Sequence, residues 1–384
     1  MPTLRLPVPD GTVRPYTFTG RKPPPPPDGP ARSRIAYAAV HVVADPLADN
    51  TPGRPARLDW DATLAYRHHL WRHGLGVADA MDTAQRGMGL DWPATRELIR
   101  RVGAEPGRGA LVCGAGTDQL PARVERLDDV TEAYLEQCQV VEDAGATVAL
   151  MASRQLAAVA RGPDDYPAVY GKVLRQLTRP ALLHWLGPMF DPALTGYWGS
   201  ADLDAATESV LGIVDEHADR IDGVKVSLLD AAREAAFRCR LPDGVRCYTG
   251  DDFGYPELIR GDENGASDAL LGVFDPIAPV AAAALHALDA GDGAAYERWL
   301  APTVPLARHL FGEPTYHYKT GIVFLSWLAG HQEHFTMVSG MQGARSVPHL
   351  ARAAVLADEA CLLPDAELAA ARLGTFLAVA GVDA

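Results

Sequence analysis

The sequence predicts a (β/α)₈ TIM barrel with a Pro-rich N-terminal tail and a C-terminal helical extension. Eight short β-like runs of apolar residues alternate with eight helical patterns, which is typical of a parallel α/β fold. The span from Ile35 to Asp289 is close to the roughly 250 residues of one such barrel. No β-like run follows Gly293, so the rest of the chain is predicted to be helical. The predicted divisions are residues 1–33, 34–290 and 291–384.

The first of these segments is expected to be an extended tail. Five consecutive prolines, Pro23 to Pro27, favour polyproline II and are unsuited to the interior of a sheet. The opening residues MPTLRLPVPDG contain no continuous apolar run of the kind that a secretory signal requires. Ordered structure is therefore expected to begin near Ser33.

The barrel elements are predicted from the period of their apolar residues and from the turn and capping residues that bound them. The predicted strands are Ile35–Ala44, Val77–Met81, Gly109–Cys113, Thr147–Met151, Ala181–Leu186, Gly223–Ser227, Val245–Thr249 and Ala269–Phe274. The predicted helices are Trp60–His73, Trp92–Val102, Asp129–Ala144, Asp165–Leu177, Asp202–Ala218, Ala231–Cys239, Tyr255–Arg260 and Pro276–Leu288. Three or four further helices are expected after residue 293, packed on the barrel or on a neighbouring subunit.

A doubly wound sheet is the alternative fold. It usually carries a Gly-rich first turn, and no G-x-G-x-x-G sequence follows the first predicted strand. Gly114-Ala115-Gly116 follows the third strand instead, and such a short pattern is more typical of a tight turn.

Composition and charge exclude several classes of function. A formal charge of −14 leaves no basic stripe to neutralise phosphates, which argues against a nucleic-acid partner. No run of 18 apolar residues is present, so no membrane-spanning helix is predicted. The five cysteines are scattered without a C-x-x-C pair, as expected for free thiols in a reducing compartment. We therefore expect a cytoplasmic protein that acts on a small molecule, and the helical extension suggests a homo-oligomer.

Lys225 is the first candidate for chemistry because lysine is rare here, with only four lysines among 35 basic residues. It lies within the sixth predicted strand, between apolar neighbours. Side chains alternate along a barrel strand, so Lys225 points inside if Val224 and Val226 face the helices. Burial would lower the pKa of its amine and make the nucleophilic form accessible near neutral pH. The alternative is a lysine whose amine reaches solvent at the strand end.

The residues around Lys225 resemble the dihydrodipicolinate synthase/N-acetylneuraminate lyase superfamily. Gly223-Val224-Lys225 is similar to the sixth strand of those enzymes, and Tyr248-Thr249-Gly250-Asp251-Asp252 to the turn after their seventh strand. Gly265–Pro279 resembles the eighth strand and its turn. The resemblance covers about residues 35–370 in element order, and the chain is identified as a member of a distant, functionally unassigned actinobacterial branch.

This resemblance implies a class I aldolase or lyase with a defined mechanism. Lys225 inherits the role of the lysine that attacks the carbonyl of a 2-oxo acid. Loss of water then gives an imine that serves as an electron sink for carbon–carbon cleavage, condensation or dehydration. No cofactor is implied.

Two departures from the superfamily pattern concern the surroundings of that lysine. Where a proton-shuttling tyrosine is expected on the fifth strand, this sequence has His184, which can act as acid and base itself. A core histidine bonded to backbone is the structural alternative, and Tyr248 or Tyr37 could supply the missing phenol. The catalytic candidates are thus Lys225, His184 and Tyr248.

The second departure lies after the second strand, where Asp82-Thr83-Ala84-Gln85 replaces the superfamily's Gly-Thr-Thr-Gly turn. Thr83 remains as a donor, and Gln85 and Arg86 could help to bind an anion. Asp82 would repel a carboxylate and would suit a hydroxyl, as in a polyol or a sugar-derived carbonyl compound. An ordinary capped turn is the structural alternative for this segment.

Other strand ends are expected to share the pocket, because barrel active sites gather at the C-terminal face. Arg154, after the fourth strand, suits an anionic group of the substrate. Asp251 and Asp252, after the seventh strand, suit substrate hydroxyls. Each of the three is also compatible with an ordinary surface loop.

Two other functions stay open at this point. A metal-assisted isomerase or hydrolase on the same barrel would use His184, His41 and His331. The sequence His331-Gln332-Glu333-His334 puts two imidazoles on one side of a helical turn, but the H-E-x-x-H signature is absent. Surface histidines are the preferred interpretation, and no metal site is predicted. A non-catalytic sugar-binding barrel is the other alternative, suggested by the altered turn and the missing tyrosine.

Overall fold

The N-terminal segment forms a hairpin rather than the predicted extended tail. In a computed structural model, which describes residues 1–8 and 10–382, strands β1 (Thr3–Pro7) and β2 (Val13–Thr17) pair antiparallel. Leu6 and Phe18 are buried, and the carboxylate of Asp358 accepts hydrogen bonds from Tyr16 Oη and from the Thr19 backbone N–H, each at 2.7 Å. The prolines that suggested a tail follow this hairpin, and two buried apolar side chains tie it down.

Eight parallel strands close into a barrel, as the sequence predicts. Each strand is hydrogen-bonded to its neighbours in the order β10-β3-β4-β5-β6-β7-β8-β9, and each is followed in the chain by at least one helix. The architecture is therefore a (β/α)₈ barrel. The strands are β3 (Ala36–Ala39), β4 (Gly76–Asp79), β5 (Leu111–Ala115), β6 (Thr147–Leu150), β7 (Ala181–Leu186), β8 (Ile221–Ser227), β9 (Arg246–Thr249) and β10 (Asp268–Leu271).

The helices between the strands match the predicted patterns to within a few residues, with one addition between β6 and β7. They are α1 (Trp60–Arg72), α2 (Trp92–Gly103), α3 (Leu127–Asp143), α4 (Arg154–Val159), α5 (Asp165–Leu174), α6 (Leu203–Glu216), α7 (Ala231–Arg238), α8 (Tyr255–Arg260) and α9 (Ala278–Asp289). The side chains of Asp59, Asp91 and Asp202 accept hydrogen bonds at the starts of α1, α2 and α6. Such caps satisfy backbone donors that have no partner within the helix.

Beyond the barrel the described residues contain five helices, where the sequence predicts three or four. The two shortest are separated by a single 3₁₀ turn at Ala301–Thr303, which contains Pro302. The five are α10 (Gly293–Leu300), α11 (Val304–Leu310), α12 (Tyr318–Leu328), α13 (Val347–Glu359) and α14 (Ala366–Val379). None of the helices in the described ranges is long and apolar enough to cross a membrane.

The chain divides into two compact units. One comprises residues 34–40 and 76–272 and contains all eight barrel strands. The other comprises residues 1–33, 41–75 and 273–384, and so includes α1 and α9, which the sequence assigns to the barrel segment. The barrel encloses an apolar cluster to which seven of its strands contribute, a filling typical of this fold. Its strand residues are Ala39, Ala78, Val112, Ala149, Leu182, Tyr248 and Leu270.

Candidate active site

Lys225 lies on β8, the sixth barrel strand, and its side chain points into the barrel. Its partners in the sheet register are His184 on β7 and Tyr248 on β9, and Tyr248 belongs to the apolar cluster inside the barrel. Only 5% of Lys225 is exposed. Burial lowers the pKa of Lys225, while the charges of Asp82 and Asp252 oppose that shift. At a given pH, a larger fraction of Lys225 is therefore in the neutral amine form than for a lysine in water.

His184 lies beside Lys225 on the neighbouring strand and is 1% exposed. Its Nε2 is 3.2 Å from Ser227 Oγ, and its Nδ1 is buried without a hydrogen-bond partner among the described residues. Burial, and next the charge of Lys225, hold the pKa of His184 well below its ordinary value, with Asp82 opposing. His184 is thus a buried, neutral imidazole next to the candidate nucleophile.

Ser227 and Gly250 complete this centre, and the sequence interpretation gave neither of them a role. Ser227 follows Lys225 by two residues on the same strand, which puts both side chains on the same face. A methyl group built on Gly250 would overlap Ser227 Oγ and would lie 2.9 Å from Lys225 Cε. The absence of a side chain at Gly250 therefore makes room for both groups. The period of two along the strand is the signal that could have identified Ser227.

The turn after β4 holds the predicted substrate-binding residues Asp82, Thr83 and Gln85. Asp82–Ala84 form a 3₁₀ turn, and Gln85 follows it with a left-handed backbone, at φ 65°. Thr83 and Gln85 are buried, and Asp82 is the residue whose charge acts on both Lys225 and His184. The turn thus brings one carboxylate to the centre.

Arg86 is held inside the protein, contrary to the suggestion that it helps to bind an anion. Its guanidinium group donates to the carbonyl oxygens of Ala80 and Gly114, to the carboxylate of Asp118 and to Gln137 Oε1. A guanidinium with this many protein acceptors orders the turns around it, and little of its donor capacity is left for a ligand.

The remaining predicted residues differ in what they contact. Asp251 accepts hydrogen bonds from the backbone N–H groups of Phe253 and Gly254, at 2.8 and 2.9 Å, and so orders the turn after β9. Asp252 is buried, and its charge acts on Lys225. Arg154 begins α4, is about half exposed, and pairs with Asp191. Of the two aspartates, Asp252 is the one associated with the candidate nucleophile.

Tyr248 directs its phenol away from the centre. Its hydroxyl donates to Asp222 Oδ2 at 2.6 Å, and Asp222 precedes Lys225 by three residues on β8. Three residues of strand correspond to about 10 Å toward the N-terminal end of the barrel. The Tyr248 hydroxyl is thus engaged by Asp222 and is not directed at the Lys225 amine.

Glu234 is a further residue that the sequence interpretation missed. It lies in the first turn of α7, where a glutamate normally indicates a solvent-facing surface, yet it is buried. Thr249 Oγ1 and Ser267 Oγ donate to its two carboxyl oxygens, at 3.0 and 2.8 Å. Burial raises the pKa of Glu234 to about 8, although those two hydrogen bonds oppose the shift. Because Thr249 also accepts from the backbone N–H of Asp251, Glu234 supports the turn that carries Gly250 and Asp252.

Replacing Glu234 by glutamine is expected to stabilise the protein at alkaline pH. The unfolded chain loses this proton near pH 4.5 and the folded protein near pH 8. The free energy of unfolding of the wild type should therefore fall by about a few kcal/mol between pH 4.5 and pH 8 and level off at higher pH. Urea unfolding at pH 5, 7 and 9 measures the effect. An equal pH dependence in the wild type and in Glu234→Gln would contradict it, and Glu257→Gln, an exposed site on α8, is the control.

The histidines of the metal hypothesis do not form a ligand set. His41 Nδ1 lies 2.8 Å from Asp275 Oδ2, and its Nε2 lies 3.1 Å from Gln332 Oε1. His331 packs against the rings of Tyr66 and His69, at centroid distances of 5.1 and 4.3 Å. Residues 331–333 form a bend, and the expected helical turn over 331–334 is not formed. In the part of the chain that the structure describes, no three His, Cys, Asp or Glu side chains are arranged to hold a metal ion.

Comparison with known proteins supports the fold and leaves the activity open. A family model described as "Protein of unknown function (DUF993)" matches residues 4–382. No curated protein matches the sequence.

Solved structures with a similar fold include dihydrodipicolinate synthases. A further similar structure is that of YagE, a prophage protein belonging to the dihydrodipicolinic acid synthase family from E. coli K12, in complex with pyruvate. It is 16% identical, with a TM-score of 0.66, over 86% of this chain and 99% of that one. The Bacillus clausii synthase is 16% identical with a TM-score of 0.62, over 85% and 97%. The Bacteroides thetaiotaomicron synthase is 15% identical with a TM-score of 0.62, over 84% and 98%. The likeness confirms at the level of fold the resemblance indicated by the sequence.

Proposed function

We propose that this chain, which belongs to the DUF993 family of proteins of unknown function, is a lyase or aldolase that forms a Schiff base through Lys225. The observation that carries the proposal is a buried lysine inside a barrel, with a buried imidazole beside it on the next strand. Burial lowers the pKa of such a lysine, and a desolvated lysine is a common covalent nucleophile toward carbonyl compounds. The likeness of the fold to dihydrodipicolinate synthases agrees with this chemistry.

His184 is proposed as the acid and base of the reaction. Two positive charges close together in a buried site are unfavourable, so we propose that only one of Lys225 and His184 is protonated at a time. Transfer of that proton to His184 leaves Lys225 neutral and able to attack. The same proton is then available for the oxygen that must leave as water.

The substrate is proposed to be a small 2-oxo-acid-like or sugar-derived carbonyl compound. Asp82 and Asp252 are the carboxylates whose charges act on Lys225, and hydroxyl groups of a substrate would donate to such carboxylates. Thr83 and Gln85, on the same turn as Asp82, are proposed to contact the substrate as well. Arg154 is half exposed and is proposed to attract an anionic substituent.

Reduction with borohydride tests the proposal directly. The protein is incubated with pyruvate, 2-oxobutanoate, glyceraldehyde or dihydroxyacetone, reduced, and cleaved after arginine. Cleavage releases Ile221–Arg233, in which Lys225 is the single lysine. We expect this peptide to gain the mass of the reduced adduct with at least one of the four compounds. Absence of an adduct on Lys225 with all of them would contradict the proposal and would favour a non-catalytic sugar-binding barrel.

A further inference from the structure

Ser227 is the other polar side chain that β8 directs toward the candidate centre. It lies on the same face of the strand as Lys225, and its Oγ is 3.2 Å from His184 Nε2. A methyl group built on Gly250 would overlap Ser227 Oγ and would lie 2.9 Å from Lys225 Cε. The Ser227 hydroxyl and the end of the Lys225 side chain therefore border the same small space, and the hydroxyl is also hydrogen-bonded to the His184 imidazole.

Proton transfer at Lys225 requires a protein group, because its surroundings are closed to solvent. Ser227 is 2% exposed, and His184 is even less accessible, at 1%. The phenol of Tyr248 is bonded to Asp222 farther down the strand, so it is occupied away from the amine. A hydroxyl suits the task because it can accept a proton from one neighbour while it donates its own to another, without becoming charged.

We propose that Ser227 is a catalytic residue that carries protons between the oxygen of the reacting carbonyl group and His184 Nε2. This inference rests on the proposed function of Lys225 and adds the route that its protons take. It gives the hydrogen bond between Ser227 and His184 a chemical role, and it accounts for a glycine at position 250, where any side chain would displace the hydroxyl.

The proton count of imine formation fits this route. His184 takes one proton from the ammonium group of Lys225, and the neutral amine forms an N–C bond as the carbonyl π pair moves to oxygen. A proton then passes from nitrogen to that oxygen, which gives the carbinolamine. The imidazolium of His184 returns its proton through Ser227 to the new hydroxyl, the C–O bond breaks, and water leaves with the bonding pair. The nitrogen lone pair closes the C=N bond, so an ammonium group and a carbonyl become one protonated imine and one water.

Removing the hydroxyl separates its role from that of the nucleophile. Wild-type protein and Ser227→Ala are mixed with pyruvate, and separately with dihydroxyacetone, and samples are reduced at set times. We expect the same final amount of adduct on Ile221–Arg233 in both proteins, because Lys225 is intact. The rate of adduct formation in Ser227→Ala should be about 10²-fold lower, the usual size of a general acid–base contribution. Ser227→Thr, which keeps a hydroxyl, should recover most of the rate.

A double-variant cycle with His184→Ala tests whether the two residues act as one path. If they do, the double variant should be no slower than the slower single variant, because either change already breaks the path. Rate reductions of the two single variants that multiply in the double variant would overturn the inference. An unchanged rate in Ser227→Ala would also overturn it. In either case Lys225 would keep its proposed role. Loss of the thermal unfolding transition in both Ser227 variants would indicate a purely structural residue and would also overturn it. Failure of the wild-type protein to form any adduct would overturn the proposed function, and this inference with it.

Discussion

Replacing Lys225 by methionine is expected to abolish adduct formation and to lower turnover by at least about 10⁴-fold, as removal of a covalent nucleophile does. Methionine keeps an unbranched side chain of similar length, so the barrel interior should stay filled. The free energy of unfolding should change by less than about 2 kcal/mol. Removal of a desolvated amine is stabilising, while loss of its attraction to Asp82 and Asp252 is destabilising, and the two effects oppose each other. Borohydride trapping measures adduct formation, and urea unfolding of the same preparations measures the free energy of unfolding.

Lys172→Met is the matched control for this experiment. Lys172 is about half exposed on α5, where its amine pairs with Asp128. Cleavage after arginine places it in Gly162–Arg175, a peptide separate from that of Lys225. After borohydride reduction, Lys172→Met should carry the same amount of adduct on Lys225 as the wild type. Turnover by Lys225→Met within about tenfold of the wild type would contradict covalent catalysis by Lys225, because no other group in the proposed mechanism makes the bond to the substrate.

The barrel could be predicted because its strands are short apolar runs whose lengths and spacing match the (β/α)₈ pattern. The inward orientation of Lys225 follows from the same regularity. Val224 and Val226 alternate with it, and only one of the two faces of a barrel strand points inside. Local patterns of this kind are visible in the sequence because they depend on neighbours along the chain.

The contacts around Lys225 could not be predicted, because they depend on how neighbouring strands are aligned. His184 faces Lys225 and reaches Ser227 only in the register that β7 and β8 adopt in the closed barrel. Glu234 could not be recognised as buried for a related reason. Its partners, Thr249 and Ser267, lie on the two segments that follow it and come together only in the fold.

The N-terminal hairpin shows the same limit. Its first strand carries apolar residues that alternate with polar ones, but a strand of five residues is a weak signal beside five consecutive prolines. The hydrogen bonds that secure it come from Asp358, more than 300 residues away along the chain. A partner at that separation cannot be identified from one sequence.

Replacing Gly250 by alanine is expected to slow adduct formation as much as loss of the Ser227 hydroxyl does. The added methyl group would overlap Ser227 Oγ and would lie 2.8 Å from the Val226 carbonyl oxygen and 2.9 Å from Lys225 Cε. The backbone of Gly250 donates to that same carbonyl at 2.8 Å, so the turn cannot retreat without losing the hydrogen bond. We expect adduct formation to slow by about 10²-fold, as a displacement of about 1 Å in an active site does. Overpacking should lower the free energy of unfolding by about 1–3 kcal/mol.

Gly212→Ala shows whether loss of stability alone would explain that result. Gly212 is an exposed residue within α6, and a methyl group added there would meet nothing within 4 Å. Alanine at this helical position should raise stability by up to about 1 kcal/mol and leave trapping unchanged. The decisive comparison is the rate of adduct formation in Gly250→Ala under conditions where the variant is fully folded. A slow rate there means that the methyl group acts on Lys225 and Ser227 directly. A wild-type rate would mean that the space beside Gly250 is not where the amine meets its substrate.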